Sequence, residues 1–280
     1  MVCLLQLHLN QVGIRPSLGR IFDFPATLGK TLLIFLLLSS GCGREGMAGP
    51  LADTIVEVKP SIVGVGTFQR TRSPPGQFRG TGFVISDGLT IVTNAHVLPQ
   101  TLDSKQREFL AVFGREGQKN IVRGAKIIAS DDKHDIAILK ISGNPLSAMR
   151  LGESKKVREG ELYAFTGFPI GVVLGLHPVT HRGIVSAISP IVIPSHTSRQ
   201  LNPQMIRRLG DPYDVFQLDA TAYPGNSGSP LYELETGRVV GIINKVFVKE
   251  TKENILQKPS GISYAIPIKY VRELIKRSRL

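Results

Sequence analysis

Tyr223-Pro224-Gly225-Asn226-Ser227-Gly228-Ser229-Pro230 is the stretch on which the reading of this chain turns. One serine stands between two glycines in a segment too tight for regular secondary structure. Glycine tolerates positive φ and close backbone approach, so Gly225 and Gly228 let the chain bend sharply around Ser227. Such a bend exposes a hydroxyl and turns neighbouring N–H groups toward one point, as a nucleophile and its oxyanion hole require. A plain Gly/Ser/Pro turn between two strands explains the same residues, so the turn alone leaves both readings open.

Two other segments bear on the choice. His96 lies in Val92-Thr93-Asn94-Ala95-His96-Val97, at the end of a β-prone run, and Asp135 opens Asp135-Ile136-Ala137-Ile138-Leu139-Lys140. A serine hydroxyl is a poor nucleophile near neutral pH. A histidine that takes its proton, oriented by a carboxylate, makes it a good one. The order His, Asp, Ser along the chain is that of one known triad arrangement. Each segment is weak alone, but together they point to serine-nucleophile catalysis.

Outward from these motifs the chain reads as short strands. Candidates are residues 61–67, 81–86, 90–93, 109–113, 121–129 and 136–141, with Asp87-Gly88 as a hairpin signal between the second and third. The second half offers 162–166, 181–188, 215–218, 230–233, 239–246 and 262–265. Leu51, Ile55 and Val58 share one face of a helix closed by Pro60, and Tyr270, Val271, Leu274 and Ile275 form a helical stripe within 267–279. The expected fold is therefore all-β: two six-stranded antiparallel β-barrels with short N-terminal and C-terminal helices. Barrel one spans about residues 61–145 and barrel two about 158–267; a pair of β-sandwiches is the competing arrangement. No internal sequence repeat is found.

Composition sets the outer bounds. With 280 residues, 42% hydrophobic and 20% charged, the chain is that of a folded globular protein. Its net charge of +12 raises nucleic acid as a partner, but the basic residues are scattered without interleaved aromatics. A solvated basic surface and no nucleic-acid partner are expected. No histidine spacing suits a metal and no cofactor is expected.

Residues 1–48 differ from the rest. Lys30 precedes the apolar run Thr31–Leu38, which ends in Ser39-Ser40-Gly41-Cys42-Gly43. This reads as a secretory leader and tether, much shorter than the ~20 apolar residues that span a bilayer. Gly41-Cys42 resembles a bacterial lipoprotein signal with Cys42 lipidated, although Ser39 stands where leucine is usual. Cleavage near Ala48 without lipidation, and an uncleaved anchor, are the alternatives. The long stretch 1–29 also suggests a translation start further downstream. The other cysteine is Cys3, so residues 49–280, the globular part, contain no disulfide.

The three motifs, with Gly183-Ile184-Val185-Ser186 and Gly261-Ile262-Ser263-Tyr264-Ala265-Ile266-Pro267, resemble the HtrA/Deg (trypsin-like-2) serine proteases over about residues 50–276. The resemblance implies that the two barrels form a chymotrypsin-like double barrel, with His96 as general base, Asp135 as its orienter and Ser227 as nucleophile. It implies an oxyanion hole from Gly225, Asn226 and Ser227, through the N–H groups of the first and last. It also implies polypeptide substrates, a homo-oligomer (a trimer by family analogy), and work in extracytoplasmic protein quality control. The location expected is periplasmic or cell-envelope, as a lipoprotein, or otherwise secreted. No PDZ segment follows within these residues. Residues 69–79 form a short polar loop, Ser229 replaces the usual second glycine, and no tryptic activation site precedes Ile62-Val63-Gly64.

By the same resemblance, Thr221 and Ala222 help to form the S1 pocket, opposite Ile243, Asn244, Lys245 and Val246, where a substrate strand would also lie. No acid occupies Thr221 to pair a basic side chain, and Ile243 and Ala222 stand where glutamyl enzymes carry polar groups. A small or medium aliphatic P1 residue is expected. His134 is expected to be exposed, His177, His181 and His196 to be unremarkable, and Pro190–Tyr213 to form a surface loop with a place in regulation. A single-substrate processing protease, and a silent protease-fold binding module, are the alternative functions.

Overall fold

The computed structural model describes residues 50–117, 119–169, 177–191, 212–244 and 261–280. Helix α1 (Pro50–Val58) leads through a 3-10 turn at Lys59–Ser61 into barrel one. That barrel is β1 (Ile62–Phe68), β2 (Gly76–Ile85), β3 (Thr90–Thr93), β4 (Phe109–Glu116), β5 (Lys119–Asp131) and β6 (Ile136–Ile141), closed in the order β1-β2-β3-β6-β5-β4. Barrel two is β7 (Leu162–Gly167), β8 (Val179–Pro190), β9 (Asp214–Asp219), β10 (Pro230–Glu233), β11 (Val239–Asn244) and β12 (Ile262–Pro267), closed as β10-β11-β12-β9-β8-β7. Helix α2 (Lys269–Arg277) ends the chain. Every ladder is antiparallel. This is the expected double barrel, and closure leaves neither sheet with a free edge.

Alternation along the strands decides what each face buries. In β6, Leu139 and Ile141 fill barrel one, with Val65, Val84 and Ile91. Ile136 and Ile138 point the other way, into a shared layer with Phe83, Val92, Tyr232, Ile242 and Ile266. This layer joins the two barrels, and Val58 of α1 and Tyr270, Val271 and Leu274 of α2 extend it. Barrel two encloses Phe165, Phe216, Leu218, Val240 and Ile243. Each such side chain, fully buried, contributes roughly 1.5–3 kcal/mol. A bulge opposite Leu231 and Tyr232 adds one residue to β11, at Val240. It resets the phase of that strand: Ile243 turns into barrel two while Ile242 and Asn244 face barrel one.

The strand bounds differ from expectation in one useful place. β2 begins at Gly76, so the loop before it is residues 69–75, shorter than residues 69–79 suggested. The polar loop pairs early because Arg72 anchors it: Nη1 donates to Glu108 at 2.8 Å and Nη2 to the Pro75 carbonyl at 3.0 Å. Glu108 is held from a usual 4.5 down to about 2, first by Thr67 Oγ1 at 2.6 Å, then by the Asp103 N–H at 3.0 Å and by Arg72. Residues 1–48, including Cys42, lie outside the described residues.

A carboxyl with a depressed folded-state pKa favours the fold above its unfolded pKa and loses that contribution as pH falls through its folded value. Glu108 should therefore support the structure above about pH 4.5 and lose that support progressively toward pH 2. Urea denaturation across pH 2–7 should show a weaker acid dependence in Glu108→Gln than in wild type. Superimposable pH dependences would contradict this.

Candidate active site

Each of the three sequence motifs ends beside the interface between the barrels. β3 stops at Thr93, Asn94 stays extended, and Ala95–Val97 form a 3-10 turn that carries His96. Asp135 lies in the turn between β5 and β6 with a φ of 54°, a left-handed conformation that few non-glycine residues adopt. The Asp135 carbonyl accepts from Asn94 Nδ2 at 3.0 Å and from the Ala95 N–H at 3.2 Å. This fastens the Asp135 turn to the His96 turn.

The carboxylate then meets the histidine twice. Asp135 Oδ1 accepts the His96 backbone N–H at 2.8 Å, and Oδ2 accepts from Nδ1 of its ring at 2.6 Å. An ionised carboxylate only accepts, so the Nδ1 atom carries the proton and the other ring nitrogen is left as an acceptor. The aspartate side chain is 6% exposed and the histidine 34%, so one end of the pair is dry and the other faces solvent. A third donor reaches the same carboxylate: Asn244 Nδ2 lies 2.7 Å from Oδ2.

Asn244 is thus committed to Asp135. The sequence places its backbone beside the substrate pocket; its side chain, at 1% exposure, is buried. The cause is the β11 phase, which sends Asn244 to the same side as Ile242. Its neighbours Lys245 and Val246, assigned to the same pocket wall, lie outside the described residues.

Ser227 arrives from barrel two. The Asn226 N–H donates to the Tyr223 carbonyl at 3.0 Å, the Gly228 N–H to the Ile243 carbonyl at 2.9 Å, and the Ile243 N–H to the Ser229 carbonyl at 2.8 Å. These bonds carry the β10–β11 ladder back to the serine. Neither Gly225 nor Ser227 donates its N–H to a described residue. Two backbone donors on either side of Asn226 are therefore spare. Asn226 itself is fully buried.

Thr81 of β2, which the sequence did not single out, holds this turn from barrel one. Its N–H donates to the Ser227 carbonyl at 2.8 Å, and its Oγ1 donates to the Gly225 carbonyl at 2.7 Å while accepting the Phe168 N–H at 3.1 Å. Thr93 Oγ1 donates in turn to the Thr81 carbonyl at 2.7 Å. The approach is close enough to dictate glycines. A Cβ on Gly228, at φ 89°, would stand 2.0 Å from the Thr81 carbonyl oxygen. One on Gly80 would stand 2.9 Å from the Ser227 carbonyl oxygen and 2.6 Å from Val97, the neighbour of His96.

The residues assigned to the pocket lie just before the serine. The Ala222 N–H donates to Ser263 Oγ at 2.8 Å, and that hydroxyl donates to the Ala220 carbonyl at 2.6 Å, so β12 pins the segment. Ala222 and Ile243 both border the barrel-two core; Thr221 is half-buried, and Asp219 is exposed. His181 also differs from expectation. It is half-buried, stacked on Phe165 at 4.9 Å and 6.1 Å from Tyr223, and burial pushes its imidazole below the usual range. His134 is a further correction, being buried rather than exposed. Among the described residues no group of His, Cys, Asp and Glu is placed to hold a metal. His196 and most of Pro190–Tyr213 lie outside them; the ends, Ile191 and Tyr213, are buried and joined by an Ile191 N–H to Tyr213 carbonyl bond of 2.9 Å.

Comparison with known proteins fits this geometry. The model of the trypsin-like peptidase domain matches residues 80–242, a span that holds all three motifs. Serine protease HTRA1 of Xenopus tropicalis is 30% identical over 278 residues, covering 94% of this chain and 52% of that protein. A probable periplasmic serine endoprotease, DegP-like, from Pseudomonas putida (strain ATCC 700007 / DSM 6899 / JCM 31910 / BCRC 17059 / LMG 24140 / F1) is 33% identical over 207 residues, covering 71% of this chain and 36% of that protein. The chain thus spans about half the length of the first relative and about a third of the second. Among solved structures, the HtrA-type protease AlgW with a tripeptide superposes with a TM-score of 0.57 at 26% identity, covering 81% of this chain and 62% of that one. The chain belongs to the trypsin-like peptidase family, among its HtrA and DegP-like members.

Proposed function

We propose that this protein is a serine endopeptidase that cleaves peptide bonds through an acyl-enzyme, with Ser227 as nucleophile, His96 as general base and Asp135 as its orienter. The observation that carries the reading is the two-point grip of the Asp135 carboxylate on His96, with Asn244 as third donor. That grip sets the tautomer in which the outer ring nitrogen accepts a proton. In the proposed reaction, Ser227 Oγ attacks the scissile carbonyl carbon as His96 takes its proton. The carbonyl oxygen becomes an oxyanion beside the N–H groups of Gly225 and Ser227. Collapse expels the amine, which takes the proton back from His96 and leaves an ester on Ser227. Water, deprotonated by His96, then attacks the ester and regenerates the serine. The chemistry calls for no metal or cofactor.

The finer assignments rest on the pocket and on the relatives. Thr221, Ala222 and Ile243 would form an S1 site for a small or medium aliphatic side chain. Two features argue against charged P1 residues: position 221 holds a threonine and no acid to pair a basic side chain, and His181 lacks the charge at neutral pH that an acidic side chain would need, because burial depresses its pKa. The DegP-like relatives are named periplasmic endoproteases, which favours export of this chain and a task in extracytoplasmic quality control on unfolded polypeptides. Lipidation of Cys42, membrane contact through it, and a homo-oligomer, a trimer by analogy, belong to the same proposal. So does division into a leader at 1–48 and a protease domain at 49–280.

A fluorophosphonate probe and casein cleavage mapped by mass spectrometry test the reaction. Wild type should label and cleave after Val, Ile, Leu or Ala, and Ser227→Ala should do neither. Cleavage dominated by Lys, Arg or Glu at P1 would overturn the pocket, and activity in Ser227→Ala the mechanism. The rate should also fall on the acid side, as a protonated His96 cannot act as base.

The Thr81 contacts generate a separate expectation. In Thr81→Val the Gly225 carbonyl loses its donor while the shape of the side chain is kept. The oxyanion donors should lose their aim, and kcat should drop on the order of ten-fold or more, with KM little changed. Thr81→Ser, which keeps the hydroxyl, should stay near wild type. Equal kcat in the valine and serine variants would remove Thr81 from the site.

A further inference from the structure

His134 immediately precedes Asp135, yet it is 9% exposed and gripped from three segments. Its ring stacks on Tyr270 of α2 with centroids 4.0 Å apart and planes 16° off parallel. It meets Tyr213, just before β9, edge-on at 4.6 Å. Tyr213 and Tyr270 complete the triangle at 5.4 Å. His134 Nδ1 lies 2.9 Å from Asp131 Oδ2, which also accepts Arg277 Nη2 from the last turn of α2 at 3.1 Å. Asp131 Oδ1 accepts the Lys133 and His134 N–H groups at 3.1 and 3.2 Å. Lys269 Nζ sits 4.8 Å over the Tyr270 ring. Burial pushes the Asp131 carboxyl up, but the His134 and Arg277 donors outweigh it and hold the carboxyl below its usual range. The clamp is therefore anionic at its centre, with an arginine and a histidine facing it.

The neighbouring backbone needs such a clamp. A left-handed φ at a non-glycine residue carries strain, less for aspartate than for most, and is held by its surroundings. On its C-terminal side Asp135 is tied to Asn94, Ala95 and His96. On its N-terminal side the direction of the chain is set by the side chain of the adjacent His134 and by Asp131, which accepts both from the His134 ring and from the Lys133 and His134 N–H groups. A rotation there would swing the carboxylate off the imidazole, and a misplacement of about 1 Å can cost on the order of a hundred-fold in rate.

We infer that His134 is a positioning residue, through which Tyr213 and the Tyr270 and Arg277 side chains of α2 fix the backbone of Asp135 and hence the imidazole of His96. The inference rests on the triad reading above. It assigns the C-terminal helix a part in holding the catalytic geometry, beyond covering apolar surface.

The test uses the whole chain with His134→Phe, Tyr270→Leu, Tyr270→Phe and Arg277→Ala. Peptide hydrolysis is measured across pH, and the low-field proton resonance of His96 Nδ1 is followed by NMR. His134→Phe and Tyr270→Leu should lose about ten-fold in kcat with KM little changed. The acid limb of their pH–rate profiles should move to lower pH, because an imidazolium that loses its carboxylate gives up its proton more readily. Their Nδ1 resonance should move upfield or exchange away. Tyr270→Phe keeps the ring and should match wild type. Lower thermal stability with an unchanged acid limb and resonance would reduce the cluster to packing and overturn the inference. If His134→Phe does not fold, Arg277→Ala decides. Its side chain is 64% exposed, so it should fold and show the same shift at smaller amplitude; none would count against the inference. The resonance needs no turnover, so a failed triad reading, seen as activity in Ser227→Ala, stays distinct from a failed positioning role.

Discussion

A carboxylate taken out of water costs several kcal/mol unless donors replace its hydration, and Asp135 is 5% exposed. Three donors do so: the His96 backbone N–H, its ring Nδ1 and Asn244 Nδ2. Two come from barrel one and the third from barrel two, so the charge is satisfied only when the barrels are docked. Its donors are also the parts of the proposed site, which makes the electrostatics of folding and the orientation of the base one constraint. Removing a single partner from such a site leaves a buried charge uncompensated, which is more damaging than removing charge and partners together.

The second contact between barrels runs in the opposite sense. Thr81 of barrel one reaches into the serine turn of barrel two and engages the carbonyls of Gly225 and Ser227. A peptide whose carbonyl is held has its N–H direction set as well, since the unit is planar. The units held in this way carry the N–H groups of Asn226 and Gly228, which bond Tyr223 and Ile243, so the turn is pinned on both sides of Ser227 and the spare N–H groups of Gly225 and Ser227 are set through it. The price of such close approach is paid in side chains, which is why glycine occupies positions 80 and 228. Around these polar contacts an apolar layer from Phe83, Ile138, Tyr232 and Ile242 excludes water. In that drier setting each hydrogen bond is electrostatically stronger than it would be at the surface.

Much of the fold was legible because strands buried on both faces stand out as short apolar runs between turn residues. The hairpin at Asp87-Gly88 and the apolar runs at 136–141 and 230–233 became β2–β3, β6 and β10. The leucine and isoleucine stripe near the C-terminus became α2. The serine turn, His96 and Asp135 were legible because their residue types and order are those that nucleophilic chemistry requires. Where the reading went astray, a long-range contact overrode a local rule. His134 was assigned to the surface because histidine beside a turn usually lies there, yet Tyr213 and Tyr270, far along the chain, enclose it. Residues 76–79 were assigned to a loop for their Gly and polar content, yet they pair with β1.

From sequence alone came the all-β class, the two sets of six strands, and the three residue types of the proposed triad with their order. These depend on local periodicity and on side-chain chemistry, which each residue carries with it. The tertiary structure alone decided that the Asn244 side chain bonds Asp135 and that Thr81 holds the serine turn. It also decided that His134 joins α2 to the turn of Asp135. Such roles depend on the phase of a strand after a bulge and on which barrel faces stand opposite each other. The first is set where β10 pairs with β11, and the second arises only when residues more than a hundred positions apart, such as Thr81 and Gly225 or Asp135 and Asn244, are packed together.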